Sequence, residues 1–316
     1  MLTSILHLTN GSAIIPMMRA AGVEGRVVPW DDVLHEGPVP AGLNIAALRD
    51  VRTDFLASCG WDSRQNIARR LAERDAALEA PFDEIVLWFE HDLYDQLQVL
   101  QILDRLPMDG PPRITAVPDG DYLGQLAQAQ FQGLFAARRD VTSAERSATR
   151  DAWNAFRAAD PRGVAEVLPR VTVLPHLGPA LLRHLQQFPS MDTGLSRTEQ
   201  QTLEVMVTTG VTRVRDVYVK SHHQREDAIF MGDAAFLSHI GALMVPPRPL
   251  IRALSGARRL SLDDDIEPTD DGLLVVARQA DRIALSGIDR WLGGVHLLGH
   301  GQMWRWDDRR RLLRFV

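Results

Sequence analysis

The 316-residue chain has one cysteine, Cys59, which excludes an internal disulfide and cannot by itself build a thiolate zinc site. A reducing, cytoplasmic setting is the expectation that follows. No run reaches the roughly 18 uninterrupted apolar residues at which a membrane helix becomes the default reading. The opening MLTSILHLTNGSAIIPMM also lacks the basic flank of a signal peptide and is interrupted by His7, Asn10, Gly11 and Pro16. The motifs G-x-G-x-x-G, G-x-x-x-x-G-K-[ST] and H-E-x-x-H are missing, which removes the ordinary dinucleotide, P-loop and zinc-protease sites. Positive charge is not in excess either: the formal net charge is −6, so a surface that coats nucleic acid or anionic membrane along its length is excluded, and only a local basic patch is compatible.

With 45% hydrophobic and 24% charged residues, the chain has ordinary globular composition and is long enough for two domains. Four short apolar runs, at 5–8, 26–30, 85–89 and 113–117, alternate with segments of helical spacing. The clearest of these carries Leu93, Leu97, Leu100, Leu103 and Leu106 in steps of three or four. Strand-helix alternation predicts a Rossmann-like α/β domain with a mostly parallel sheet over residues 1–138. The segment 62–78 is charged and amphipathic, and Arg64, Arg69, Arg70 and Arg74 are expected on a solvated face.

Beyond residue 138 the strand-like runs stop. Thr142 and Glu145 have capping-box spacing, and LGPALLRHLQQF continues a helical connector to about residue 190, with Pro189 as its break. In residues 191–316, Ser196 and Glu199 again have capping-box spacing, Asp233 reads as an N-cap, and the chain closes on a hairpin-like MWRWDDRRRLLRFV. Three helices followed by a hairpin predict a winged-helix-like module. The pair His222-His223 reads as a surface loop, and His296 with His300 makes at most an incomplete zinc site.

These strings also resemble a known family. LHLTNGSA, WDDVLHEGPVP, WFEHDLYDQLQ, RHLQQFPS with GLSRTEQQ, FMGD and GIDRWLGGVHL together resemble the bacterial family catalogued as domain of unknown function 1835, over most of the chain. The resemblance implies a bacterial cytoplasmic protein of that architecture and supplies no reaction.

In an open parallel sheet ligands bind beyond the carboxyl ends of the strands, where loops separate and helix N-termini point inward. Each predicted strand end here is polar. The first gives Asn10, Gly11 and Ser12, suited to an anion if glycine lets the backbone approach it, and otherwise a turn with Ser12 as N-cap. The second is the long loop WDDVLHEGPVP, with Asp31, Asp32, His35 and Glu36 anchored by Trp30. The third is EHDLYD. Asp92 as N-cap and Asp95 in the first turn are explained by the helix dipole, which leaves Glu90 and His91 as an acid/base pair or metal ligands, although neighbours on an extended chain face opposite ways. The fourth carries Asp119 and Asp121, most simply a turn.

Carboxylates and imidazoles without thiol or lysine suit a hard or borderline divalent ion. The expectation is a metal-assisted hydrolase or phosphoryl-transfer enzyme for a small phosphorylated or anionic substrate, with Glu90, His91 and Asp31 as catalytic and metal residues. Asn10, Gly11, Ser12, His35, Glu36 and Asp119 are its expected ligand contacts. The alternative is a non-catalytic ligand-sensing regulator whose C-terminal module contacts a partner protein or DNA. DNA is the weaker partner, because DAAFLSHIGALM contains no arginine or lysine.

Overall fold

The four apolar runs become the parallel strands of one sheet. In the computed structural model, which describes residues 4–118, 120 and 122–316, the chain divides into units of residues 1–181 and 182–316. The first begins β1 (Ile5–Thr9), α1 (Ile15–Ala20), β2 (Arg26–Pro29), a short β3 (Gly37–Pro38), α2 (Ile45–Ser58) and α3 (Arg64–Glu79). It continues with β4 (Glu84–Trp88), α4 (Leu93–Arg105), β5 (Arg113–Ala116), α5 (Gln128–Ala136), β6 (Arg139–Asp140), α6 (Ser143–Arg157) and α7 (Arg162–Val167). The sheet order is β2-β1-β4-β5-β6, parallel except for β6, which joins antiparallel to β5.

The order matters more than the content. From β1 the chain crosses to β2 on one flank and later to β4 on the other, so the carboxyl ends of β1 and β4 form a topological switch point. Both faces of the sheet are covered, as strands apolar on both sides require. On β4, Ile85 and Leu87 join a cluster with Leu6, Leu8, Trp30, Ile102 and Leu103, while Val86 and Trp88 face Ile14, Met18, Leu123 and Phe131. The Leu93, Leu97, Leu100, Leu103 stripe of α4 is buried throughout, at about 1.5–3 kcal/mol of hydrophobic stabilisation per side chain. His7 is a core histidine. Its Nδ1 accepts from the Trp88 indole at 3.0 Å, so the proton sits on Nε2, which donates to the Glu24 carbonyl, and burial lowers its pKa.

The first unit runs on past residue 138 because β6 extends the sheet and α6 packs on α4. Thr142 and Glu145 form the expected capping box of α6. The division of units falls within α8 (Leu177–Leu185). The second unit then holds α9 (Arg197–Thr209), started by a Ser196–Glu199 capping box, α10 (Val214–Tyr218) and α11 (Asp233–Gly241). The N-cap of α11 is Gly232, and Asp233 lies one residue inside, its carboxylate accepting from the Ala234 N–H at 2.7 Å. His222-His223 is not a surface loop: it closes a π-helical turn in which His222 is buried and accepts from the Met231 N–H at 3.0 Å, while His223 is exposed.

The remainder of this unit is built of small antiparallel pairs: β7 (Ile251–Ala253) with β8 (Ile266–Pro268), β9 (Ile288–Gly293) with β10 (Val295–Gly299), and β11 (Trp304–Asp307) with β12 (Leu312–Phe315). Two short helices, α12 (Asp270–Val276) and α13 (Arg282–Ser286), separate the first two pairs. The hairpin that follows α11 is therefore β7–β8 rather than the C-terminal one. His296 and His300 take separate partners, Asp289 and the Ile283 carbonyl.

In the first unit, the loop after β2 is fixed by buried charge. Asp32 is wholly buried and pairs with Arg52 of α2, at 2.9 Å, and Arg74 of α3, at 3.3 Å. Arg74 is thus buried, 3% exposed, whereas Arg64 and Arg69 are solvated as expected. Arg52 also donates to the carbonyls of Val33 and Glu36 at 2.8 and 2.7 Å and of Pro38 at 3.2 Å. One guanidinium therefore folds residues 32–38 around itself. Gly37 belongs to this wrap: its φ is +74°, and a Cβ there would collide with the Phe55 ring. Arg52→Met should lower the unfolding free energy by about 3–5 kcal/mol in urea denaturation, because it takes one of two arginines from a buried carboxylate and leaves three carbonyls without their donor. Arg52→Lys should not restore it, since an ammonium lacks the fork that reaches all four acceptors. A loss below about 1 kcal/mol for Arg52→Met would contradict the role, being the size of an exposed pair.

Candidate functional site

At the switch point three chain segments converge. Asp92 caps α4, its Oδ1 accepting from the Asp95 N–H at 3.1 Å, as the sequence suggested. Asp95 does more than favour the helix dipole. Its Oδ1 accepts from the Asn10 amide at 3.0 Å, and its Oδ2 accepts from the Glu90 N–H, so one carboxylate ties the end of β1 to the end of β4. The Tyr94 hydroxyl donates to the Asn10 carbonyl at 3.1 Å, and the Asp31 N–H reaches the same carbonyl at 3.3 Å from the end of β2. On the other side, Glu90 Oε1 accepts from the Leu123 N–H at 2.6 Å, bringing in the chain that follows β5.

The result is a cluster of Glu90, Asp92 and Asp95 in which each residue offers a carboxylate oxygen within 4.8 Å of the others. Asp92 and Asp95 are 3% and 0% exposed, and Glu90 is 9%. Five buried acids elsewhere are matched with arginine: Asp32 with Arg52 and Arg74, Asp75 with Arg49 and Arg105, Glu84 with Arg138, Glu145 with Arg139, Glu199 with Arg290. Among the described residues no cation serves the three-carboxylate cluster; what holds it is burial, one another, and N–H donors. Burial therefore raises all three. It pushes Asp92 up to about 7, against the capping N–H of Asp95 and with help from Glu90. Asp95 is raised well above the carboxylate range by burial and by both neighbouring acids, although the Glu90 N–H and the Asn10 amide oppose this. Glu90 is raised by burial, opposed by the Leu123 N–H.

Of the metal set expected from sequence, only Glu90 belongs to this cluster. His91 sits in the bend between β4 and α4 outside the cluster, and its ring centroid lies 5.1 Å from Tyr122 and 5.9 Å from His176. Asp31 has a left-handed backbone, φ 55°, and its carboxylate lies 3.9 Å from Arg70. Of the expected ligand contacts, Asn10 lies beside the cluster, bonded to Asp95. Gly11 has no need of glycine, since its φ is not positive and a Cβ there meets nothing within 4 Å. Ser12 does not cap α1: the six-residue helix begins at Ile15, Ile14 is the N-cap residue with no side-chain capping bond, and Pro16 lies in the first turn. His35 is buried with its ring 5.8 Å from Tyr94, and Glu36 is buried in the Arg52 wrap. Asp119 and Asp121 lie outside the described residues.

Sequence reasoning missed Asp92 and Asp95 as site residues because helix-start chemistry explained them fully. The usable signal was a third acid, Glu90, just before a two-acid helix start. No family model matches the chain, and no curated protein matches it.

The raised pKa of Asp92 has a measurable sign. A carboxyl whose folded pKa exceeds its unfolded value, here about 7 against 3.8, contributes stability that is complete below the unfolded value and is lost as pH rises through the folded one. Asp92→Asn keeps a good N-cap while removing the charge. In metal-free buffer its melting temperature should gain on wild type steadily from pH 4 to pH 7, by the equivalent of up to a few kcal/mol. Parallel pH profiles for the two proteins would mean that Asp92 ionises without cost.

Proposed function

We propose that the N-terminal unit is a divalent-cation-dependent hydrolase or phosphoryl-transfer enzyme for a small anionic substrate, with the cation held by Glu90, Asp92 and Asp95. The observation that carries this is the missing counter-charge: three carboxylates share a buried site at the switch point of the sheet, in a protein that pairs the buried acids Asp32, Asp75, Glu84, Glu145 and Glu199 with arginine. Oxygen ligands alone suit magnesium, manganese or calcium. Such an ion neutralises the carboxylates, orients a phosphoryl oxygen and lowers the pKa of a bound water. In this reading His91 stands outside the ligand set and is the imidazole available to move a proton at the same strand end.

A winged-helix-like reading of residues 191–316 is supported by α9, α10 and α11 followed by the β7–β8 hairpin, with Arg213 bridging to Asp265 beside it. If that unit reads the state of a partner, a protein partner fits α11 better than DNA, because the helix has no arginine or lysine, His239 is buried and Ser238 is its exposed polar side chain in mid-helix. The strings quoted above support proposed membership in the family catalogued as domain of unknown function 1835. No helix among the described residues is long and apolar enough to cross a membrane.

Calorimetric titration with Mn2+ separates this ligand set from the one expected on sequence. Glu90→Gln and Asp95→Asn should weaken binding by at least about tenfold, roughly 1.4 kcal/mol each, while His91→Ala and Asp31→Asn should leave it within about twofold. Loss of binding in His91→Ala with retention in Asp95→Asn would overturn the assignment.

A further inference from the structure

Beside Glu90 the structure has a cavity of about 380 Å3 that the cation site does not use. Among the described residues that line it, Phe89, Leu123, Leu126 and Leu134 are apolar and Glu90 is the acid. The size and lining are those of a small-molecule site, concave and apolar with few polar groups. Glu90 is shared: its carboxylate belongs to the three-acid cluster and the residue also lines the cavity, so the cavity adjoins the cluster. Glu90 Oε1 is taken by the Leu123 N–H, and among the described residues no hydrogen bond is made by Oε2.

We infer that this cavity receives the apolar body of the substrate, whose anionic oxygen head meets the cation at Glu90, Asp92 and Asp95. The inference rests on the cation reading and adds the substrate class: a phosphate ester of an aromatic or other apolar alcohol, rather than a sugar phosphate or inorganic phosphate. An apolar body leaving water for these walls gains affinity that a polyol does not.

Gly133 gives the test. It lines the cavity from α5, and a Cβ built there meets nothing within 4 Å, so Gly133→Leu adds bulk without a backbone collision and replaces a helix-weakening residue. The full-length protein with Mn2+ would be titrated calorimetrically with 1-naphthyl phosphate, glycerol 3-phosphate, inorganic phosphate and 1-naphthol. The expected result is 1-naphthyl phosphate binding at least about tenfold more tightly than glycerol 3-phosphate, that preference disappearing in Gly133→Leu while Mn2+ affinity is unchanged. Equal affinity for 1-naphthyl phosphate, glycerol 3-phosphate and inorganic phosphate, or no effect of Gly133→Leu, overturns the inference while leaving the cation reading intact. Binding of 1-naphthol that is sensitive to Gly133→Leu in a protein that takes no Mn2+ overturns the cation reading and supports the cavity.

Discussion

The Asp95 carboxylate is the constraint on which the site depends. Its two oxygens accept from the Asn10 side chain and the Glu90 backbone, and so hold together the loops that leave β1 and β4 on either side of the switch point. A carboxylate placed there is wholly desolvated, and a desolvated charge needs a compensating one. Two further acids, Asp92 and Glu90, stand beside it where an arginine would have served stability better. The chemistry proposed for the protein follows from that mismatch.

The contrast with the neighbouring loop shows that the fold does not lack means to balance charge. Asp32 lies one strand away, equally buried, and two arginines from different helices neutralise it while one of them wraps the loop. Asp32 is held below the usual carboxylate range by those guanidiniums in spite of burial, whereas burial and mutual repulsion push Asp95 the other way. Similar depth thus produces opposite electrostatics. The arginine-paired acid fixes the loop; the unpaired acids are those proposed to bind a cation.

The sheet was legible in the sequence because its signal is local: four apolar runs bounded by polar ends, and a leucine stripe of helical period. Capping boxes at Thr142 and Ser196 were legible for the same reason. Arg74 was misplaced on a solvated face because its partner, Asp32, is 42 residues away, and no periodicity reports that distance. The candidate site was legible in location and only partly in membership. Glu90 belongs to the cluster, Asp92 and Asp95 were absorbed by helix-start chemistry, and His91 and Asp31 lie outside it, Asp31 on a left-handed backbone. Composition names the residues at a strand end, but the direction each side chain takes is set by the turn.

The central claim is that these three carboxylates are a cation site, and anomalous diffraction from crystals soaked in Mn2+ tests it most directly. The account predicts a peak within coordination distance, about 2.0–2.6 Å, of carboxylate oxygens of Glu90, Asp92 and Asp95. An anomalous map with no peak there, or with its peak held by His91 and Asp31 instead, would contradict it.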